Sequence, residues 1–339
     1  GEARVLKRHG ILFRGIPAPD DHTLHTMAVV AETKTFPLPA NGSLCRRSGE
    51  FFMARVAVLH NTLDLRGGAD AVCLHVCEAL QAGHDVTLFT LGQSTIDDLN
   101  RLFGTAADVP VHRPRGSKII SKALERLARW TGPVLPQRSV LLRQAFRQHA
   151  DAYDLAVSTA NEFALSLPSV QYVHFPQFNR QHTSVGSPGR FDPLWSRLAG
   201  LPDRELPEDA TMLANSAWTA DVVETIYGRR PAVRHPPVDP IPNAADWEDR
   251  EPGFVSIGRL APDNRTLDAI RIVDGVRRCG HDIHLHLVGS AAPAYRGYVR
   301  RVEQTAATRD HVTVEADVPR ERVEHLLATH RYGLNTKPM

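Results

Sequence analysis

Residues 55–90 read RVAVLHNTLDLRGGADAVCLHVCEALQAGHDVTLFT, and this stretch decides the fold class. A β-branched run is followed by a glycine-containing turn, a segment of helical periodicity and a second β-branched run. The apolar residues on one face of the predicted helix are Val72, Val76, Ala79 and Leu80. Gly83 stands where a helix often ends in a left-handed residue. The pattern predicts a strand, a helix and a parallel strand in succession.

Strand and helix candidates continue to alternate along the rest of the chain. Further strand candidates lie near residues 155–158, 170–175, 212–216 and 232–235. A polar, proline-rich stretch at 235–253 is interpreted as an interdomain linker. A second series follows, with strands FVSIG, HLHLVG, VTVEA and YGLN and helices at 267–276, 295–306 and 320–329. Short apolar strands separated by helices predict an α/β protein with parallel sheets covered on both faces.

Three segments are expected along the chain. Residues 1–52 show no sustained period and are predicted to be a poorly ordered N-terminal extension. Residues 53–240 form the first predicted domain, and residues 241–339 form the second. The second series stops just after a strand, and a doubly wound domain usually needs about 100 to 150 residues. The second domain is therefore expected to be incomplete at its C-terminal end.

Composition limits the possible partners and the compartment. Lys and Arg number 40 and Asp and Glu number 38, so the charge of +2 argues against a nucleic-acid binder. The four cysteines form no CxxC pair, and Cys73 and Cys77 are interpreted as small buried hydrophobes. No apolar run approaches the roughly 18 residues of a membrane span. A reducing, cytoplasmic location is expected.

The first candidate site is the loop of Arg66, Gly67, Gly68 and Ala69 between a strand and a helix. Backbone N–H groups at a helix start can receive a phosphate or a sugar hydroxyl. The spacing is not GxGxxG, so it lacks the dinucleotide fingerprint. A tight turn without a ligand explains the glycine pair equally well.

Histidines supply the second candidate. His174, in VHFP, follows a predicted strand, where α/β folds place their ligands, although a lone histidine is more often structural. His281, His284 and His286 surround another strand. No carboxylate or cysteine stands near them at metal-site spacing, so they are interpreted as surface or strand-face residues and no metal site is predicted.

The third candidate is Arg259 in SIGRLAPDNR, after a strand and a glycine. A guanidinium there can clamp a diphosphate and stabilise its developing charge, although an ion pair with a nearby acid is the alternative. Gly289 in LVGS marks another strand end. The chain contains no D-x-D pair, so positive side chains must neutralise a diphosphate. GxSxG, P-loop and HExxH motifs are also absent from the sequence.

One segment, SKIISKALERLARW at 117–130, combines apolar and basic residues at helical spacing. Such helices can lie on anionic lipid, which would allow peripheral contact with the inner face of the membrane. An ordinary helix that packs its apolar face on the core is the favoured interpretation.

Several motifs in a fixed order carry a resemblance to a known family. They are RGGADAV with GHDVTLFT, YVHFP, ANSAWTADVV with HPPVD, VSIGRLAPDNR, LHLVGS, and VTVEADVPRERVEHLLATHRYGLN. Over residues 55–339 the chain resembles glycosyltransferase family four, also called group 1. The resemblance implies a GT-B fold, in which two Rossmann-like domains face a cleft with the acceptor on the first and the nucleotide sugar on the second. It also implies a retaining transfer to a lipid-linked or polysaccharide acceptor, without a cofactor.

The resemblance also implies roles for particular residues. The donor-binding residues are Gly67, Gly68, Arg259, Asn264, Arg265, Gly289 and Val318, and the catalytic residues are His174 and Arg259. His174 would contact the transferred sugar or phosphate, and Arg259 would hold the diphosphate.

The chain departs from the family at two points. The family places a lysine shortly after the arginine, whereas here Asn264 stands at that position with Arg265 beside it. A pair of glutamates that holds the donor in the family would begin just beyond Met339. These departures leave open that the chain as given is inactive. Two alternatives stay open: a non-catalytic GT-B-like binding protein or inactive fragment, and a nucleotide-sugar epimerase, which should show acidic residues at the cleft.

Overall fold

The computed structural model describes residues 53–131, 134–183, 190–202, 204–238, 241, 244–292 and 295–337. The predicted N-terminal extension, residues 1–52, lies outside the described residues, as does Met339. The protein has an α/β fold with two parallel sheets, as predicted.

The larger sheet has seven strands in the order β3-β2-β1-β4-β5-β6-β7. Its strands are β1 (Arg55–His60), β2 (Asp85–Thr90), β3 (Val111–His112), β4 (Leu155–Ser158), β5 (Ser169–Val173), β6 (Ala210–Ala214) and β7 (Ala232–Val233). Its helices are α1 (Gly68–Gln81), α2 (Ile96–Phe103), α3 (Ser117–Thr131), α4 (Leu135–Phe146), α5 (Asp192–Leu198) and α6 (Ala217–Tyr227). All six strand pairings are parallel.

The smaller sheet has four parallel strands in the order β10-β9-β8-β11. They are β8 (Glu251–Ile257), β9 (His284–Gly289), β10 (Val312–Ala316) and β11 (His330–Gly333), with helices α7 (Thr266–Arg278), α8 (Arg296–Ala306) and α9 (Arg320–Thr329). The predicted linker ran to Gly253, but β8 already begins at Glu251. Backbone pairing with β9 and β11 draws these polar, proline-containing residues into the sheet.

Strand β1 shows why the larger sheet is covered on both faces. Val56 and Val58 belong to one buried cluster, whereas Ala57 and Leu59 belong to another. Alternate side chains of a strand point to opposite faces, so a strand apolar at every position must be buried on both. Burying each of the valine and leucine side chains contributes about 1.5–3 kcal/mol.

Helix α1 confirms one expectation and corrects another. Cys73 and Cys77 are both buried as free thiols in the core beneath this helix. Gly83, however, does not adopt the expected left-handed conformation, because the helix ends through Ala82 in a right-handed conformation.

Helix α3 is only in part the core-facing helix that the sequence favoured. Ile120 and Leu124 are partly buried, but Ile119 is 77% exposed and Leu127 is 46% exposed. The small side chains of Ser117 and Ser121 occupy the buried positions instead. Across the described segments, no helix combines the length and the apolar character that crossing a bilayer requires.

Candidate functional site

A cavity of about 990 Å³ lies at the carboxyl ends of strands from both sheets. Parallel strands direct these ends to one edge, where α/β folds bind their ligands. Of the predicted site residues within the described chain, the cavity is lined by Gly67, Gly68, His174, Arg259, Asn264, Gly289 and Val318. Arg265 is not part of its lining. The fold therefore brings together residues from loops that are far apart in sequence.

The Gly67 loop forms one wall of the cavity at the start of α1. The Gly67 N–H donates to Oδ2 of Asp70 at 3.1 Å, which closes the first turn of the helix. Arg66 precedes it with a left-handed φ of 50°. A Cβ at Gly67 would lie 3.5 Å from Cδ of Arg259, and one at Gly68 would meet no described atom within 4 Å. Gly67 thus lies directly against the loop of the other sheet.

A buried pair beneath this loop was missed by the sequence analysis. His60 Nε2 lies 2.9 Å from Asp70 Oδ1, and His60 Nδ1 lies 2.9 Å from Thr159 Oγ1. Burial opposes a charge on His60, but the neighbouring Cys73 and the Asp70 carboxylate outweigh it and raise the pKa of His60 to about 10. The imidazolium donates to both oxygens and holds Asp70 in place under the Gly67 N–H. The i+10 spacing of His60 and Asp70 matches no sequence motif.

His174 directly follows β5, as predicted, and its backbone is held from both sides. Its N–H donates to Asn161 Oδ1 at 2.7 Å, and its carbonyl accepts from Asn215 Nδ2 at 3.1 Å and from Thr219 Oγ1 at 3.3 Å. Burial and the charge of His60 lower the pKa of His174 to about 4. His174 is therefore a neutral imidazole at physiological pH.

Arg259 occupies the opposite wall, on the loop after β8. Its Nη2 donates to Asp263 Oδ2 at 2.9 Å, so the ion pair with a nearby acid is present. The side chain is 21% exposed and lines the cavity. Asn264 donates from Nδ2 to the Arg259 carbonyl at 2.8 Å. The Asn264 amide thus holds the loop and offers no charge.

Arg265 is positioned by backbone geometry away from this wall. Its φ of 52° starts α7, and its guanidinium pairs with Asp268 on that helix. Arg265 therefore adds no charge to the lining of the cavity.

Gly289 ends β9 against the loop that carries Arg259. A Cβ at Gly289 would lie 1.6 Å from the Gly258 carbonyl oxygen, a distance that no real contact allows. The Gly258 N–H donates to the Val288 carbonyl at 3.0 Å, and the Leu260 N–H donates to the Ser290 carbonyl at 2.9 Å. Glycine is required here for close approach of two backbones.

Other cations line the cavity besides Arg259, and of these only Arg66 belongs to a candidate site predicted from the sequence. They are Arg66, Arg180, Arg320 and Lys337. Asp70 is the only acidic residue among the lining residues that the structure describes. Lys337 reaches this wall because Thr336 Oγ1 donates to the Asn264 carbonyl at 2.7 Å. No local motif marks Arg180, Arg320 and Lys337, because only folding gathers them.

Arg66 also connects the two sheets across the cavity. Its Nη1 lies 3.5 Å from Oδ1 of Asp317, in the loop after β10. Both side chains are about one-third exposed, so the pair contributes less than about 1 kcal/mol. The arrangement gives a cavity whose charge suits an anionic ligand.

Comparison with known proteins identifies structures of similar fold. No protein-family model matches the chain, and no curated protein matches its sequence. Anabaena Alr3699/HepE in complex with UDP and glucose matches 82% of this chain and 72% of its own, with a TM-score of 0.52 and 17% identity. The same protein with UDP-glucose gives a TM-score of 0.50 at 16% identity, with the same coverages. A glycosyltransferase from Rickettsia africae covers 82% of this chain and 71% of its own, with a TM-score of 0.46 and 10% identity. At these identities the first two likenesses show a shared fold.

Proposed function

We propose that this protein is a GT-B glycosyltransferase that moves a sugar from a nucleotide-sugar donor to an acceptor hydroxyl. The observation that carries the proposal is that Gly67, His174 and Arg259 line one cavity at the carboxyl edge of two parallel sheets. The shared fold with a protein whose structures contain UDP and UDP-glucose supports a nucleotide-sugar ligand. In this proposal residues 53–240 form the acceptor domain and residues 241–339 contribute to the donor domain.

The donor diphosphate binds at the wall formed by Arg259. As the bond between the sugar and the diphosphate breaks, negative charge grows on the leaving group, and cations placed there lower the barrier. Arg259 leaves Asp263 or bridges it to the phosphates, and Lys337 supplies the ammonium that Asn264 cannot. The backbone at Gly289 and Val318 provides the adjoining nucleotide wall.

His174 contacts the sugar. A phosphate partner would favour an imidazolium, but burial and the nearby charge of His60 keep His174 neutral. A neutral ring is suited to a hydrogen bond with a hydroxyl group. Of the two roles predicted for His174, contact with the transferred sugar is therefore preferred.

The proposal also includes a lipid-linked or polysaccharide acceptor and a transfer that retains the anomeric configuration of the sugar. Ile119 and Leu127 on α3 are exposed and lie beside the exposed basic residues Lys118, Lys122 and Arg126. This arrangement supports peripheral contact with anionic lipid. This contact would place the active site beside a lipid-linked acceptor.

The experiment supplies the full chain with UDP-, GDP- and ADP-sugars and a lipid-linked monosaccharide. Calorimetry measures donor binding, and release of nucleoside diphosphate measures transfer. We expect one donor class to bind and to turn over. Both signals should be strongly reduced in Arg259→Ala and retained in Arg271→Ala, whose exposed side chain pairs with Asp268 on α7. Failure of every nucleotide sugar to bind would reject the proposal.

A non-catalytic binding protein is the second candidate. The specific observation in its favour is that the Asn264 amide is committed to the Arg259 carbonyl at the position where the family has lysine. In this case the chain binds the donor with the same dependence on Arg259, but no nucleoside diphosphate is released.

A further inference from the structure

A cluster of three histidines lies at the amino edge of the smaller sheet, at the end of the strands opposite the cavity. His284 begins β9, His286 follows two residues later on the same face, and His330 begins β11. One ring nitrogen from each of the three lies within 4.8 Å of the others. His284 Nε2 is 3.0 Å from His330 Nε2.

Gly253 allows these rings to meet although they come from strands that are not neighbours. Strand β8 runs between β9 and β11, and Gly253 on β8 pairs in register with His284. A Cβ at Gly253 would lie 2.2 Å from His284 Nε2. Any other residue at this position would push the His284 ring away, so the absent side chain leaves the space in which the rings approach.

Hydrogen bonding fixes which nitrogen of His330 faces the cluster. Its Nδ1 lies 3.0 Å from the Leu326 carbonyl, which can only accept, so Nδ1 carries the proton. In the neutral ring Nε2 then carries a lone pair towards His284. Metal-binding histidines are held in the same way, by donating their second nitrogen to a carbonyl or carboxylate.

His286 and two carboxylates complete the surroundings. His286 Nδ1 is buried and has no hydrogen-bond partner within the described part of the chain, although Glu315 Oε1 lies 3.4 Å away. Arg322 holds Glu315 through two hydrogen bonds of 2.7 and 2.8 Å. Glu251 Oε2 lies 3.3 Å from His284 Nε2 and 3.8 Å from His330 Nε2.

We propose that His284, His286 and His330 bind a divalent transition metal of the zinc class, with the Glu251 carboxylate as the fourth ligand. Three imidazoles and one carboxylate are a donor set that Zn²⁺ accepts in tetrahedral geometry. Zn–N bonds of about 2.0–2.1 Å place ligand nitrogens roughly 3.3 Å apart. The 3.0 Å separation of His284 and His330 already matches, and His286 needs a shift on the order of 1 Å.

Bound metal would join β8, β9 and β11 at the end of the sheet away from the cavity, so its role is structural and independent of sugar transfer.

The test uses the full chain without a histidine tag, stripped with a chelator and titrated with ZnCl₂ by calorimetry. We expect one Zn²⁺ per chain and a higher melting temperature. Co²⁺ substitution should give the visible absorption of a tetrahedral site. His284→Gln and His330→Gln should each weaken zinc binding roughly 100-fold or more, because loss of even an outer partner typically costs 10- to 100-fold.

Two further variants separate this site from surface binding and from misfolding. His281→Gln alters an exposed histidine of the preceding loop and should bind zinc like the unaltered chain. Gly253→Ala keeps every ligand but displaces the His284 ring, and should lose affinity although no histidine is removed. Circular dichroism checks that each variant folds. If His330→Gln does not fold, His284→Gln and Gly253→Ala test the proposal without it. Absence of stoichiometric binding, or undiminished binding in these two variants, would overturn the proposal.

Discussion

The stem of Arg259 packs against Gly67, with Cδ 3.5 Å and Nε 3.8 Å from the position that a Gly67 Cβ would occupy. This contact joins the loop after β1 in the larger sheet to the loop after β8 in the smaller one. The proposed diphosphate site therefore depends on two backbone loops that belong to different sheets. Four predictions test the residues that shape the cavity, and one tests the surface of α3.

Replacing Arg259 should remove the main charge at the diphosphate. Hydrogen bonds to charged groups contribute about 1.5–3 kcal/mol, so Arg259→Ala should weaken nucleotide-sugar binding roughly 10- to 100-fold. Calorimetry with the donor measures the loss. Arg265→Ala should change affinity less than threefold, since Arg265 pairs with Asp268 outside the cavity lining. An equal loss in both variants would show that Arg265 reaches the donor after all.

Enlarging Gly289 should displace the Arg259 loop. In Gly289→Ala the new methyl group would collide with the Gly258 carbonyl, and we expect a loss of about 1–3 kcal/mol in the free energy of unfolding. Donor affinity should fall at least tenfold. Gly297→Ala is the matched control, because a Cβ there meets no described atom within 4 Å. Urea unfolding and calorimetry of both variants check the prediction, which fails if Gly289→Ala behaves like the control.

His60 should make the protein less stable as the pH rises. Its pKa in the folded state is raised to about 10, so its stabilising effect is complete below the unfolded value of about 6.5 and is lost between there and about pH 10. The free energy of unfolding should fall by up to about 1.4 kcal/mol per pH unit in this range from this group. His60→Gln should flatten that part of the curve. Unfolding in urea at several pH values measures it, and an unchanged slope in the variant would contradict the assignment.

His174 should make the protein less stable as the pH falls, which is the opposite of the effect of His60. Its folded pKa is lowered to about 4, so the unfolded chain binds a proton that the folded chain excludes between about pH 6.5 and 4. Stability should therefore fall as the pH drops through this range, and His174→Gln should reduce the fall. The matched control is His281→Gln, an exposed histidine that should leave the acid slope unchanged.

The exposed apolar side chains of α3 should support membrane binding. Ile119→Glu places a negative charge among exposed basic residues and should lower cosedimentation with vesicles that contain anionic phosphatidylglycerol. Met53→Glu changes another exposed apolar residue outside the helix and should leave binding unchanged. Equal binding to neutral phosphatidylcholine vesicles would show that charge plays no part, and no binding to either would reject contact through α3.

Local pattern was sufficient for many of the elements but not for all, since β3, α2, α4 and α5 were not predicted. Strands at 155–158 and helices at 320–329 were located because periodicity and glycine or proline boundaries are properties of neighbouring residues. The same reasoning placed Gly67, His174, Arg259 and Gly289 at strand ends, and parallel topology brings strand ends together. Retention of the anomeric configuration, the acceptor and the roles of the individual residues stay predictions.

The sequence by itself determined the parallel α/β architecture and the loops that face the cavity. The reason is that the alternation of strands and helices follows from hydrophobic periodicity and turn residues, which are local features of the sequence. Tertiary structure alone decided which polar groups meet, both at the cavity and at the opposite end of the smaller sheet. His60 contacts Asp70, Lys337 lines the cavity beside the Asn264 loop, and His330 contacts His284 across Gly253. Charge and hydrogen bonding act through space over a few ångströms, so partners separated along the chain leave no mark in local spacing.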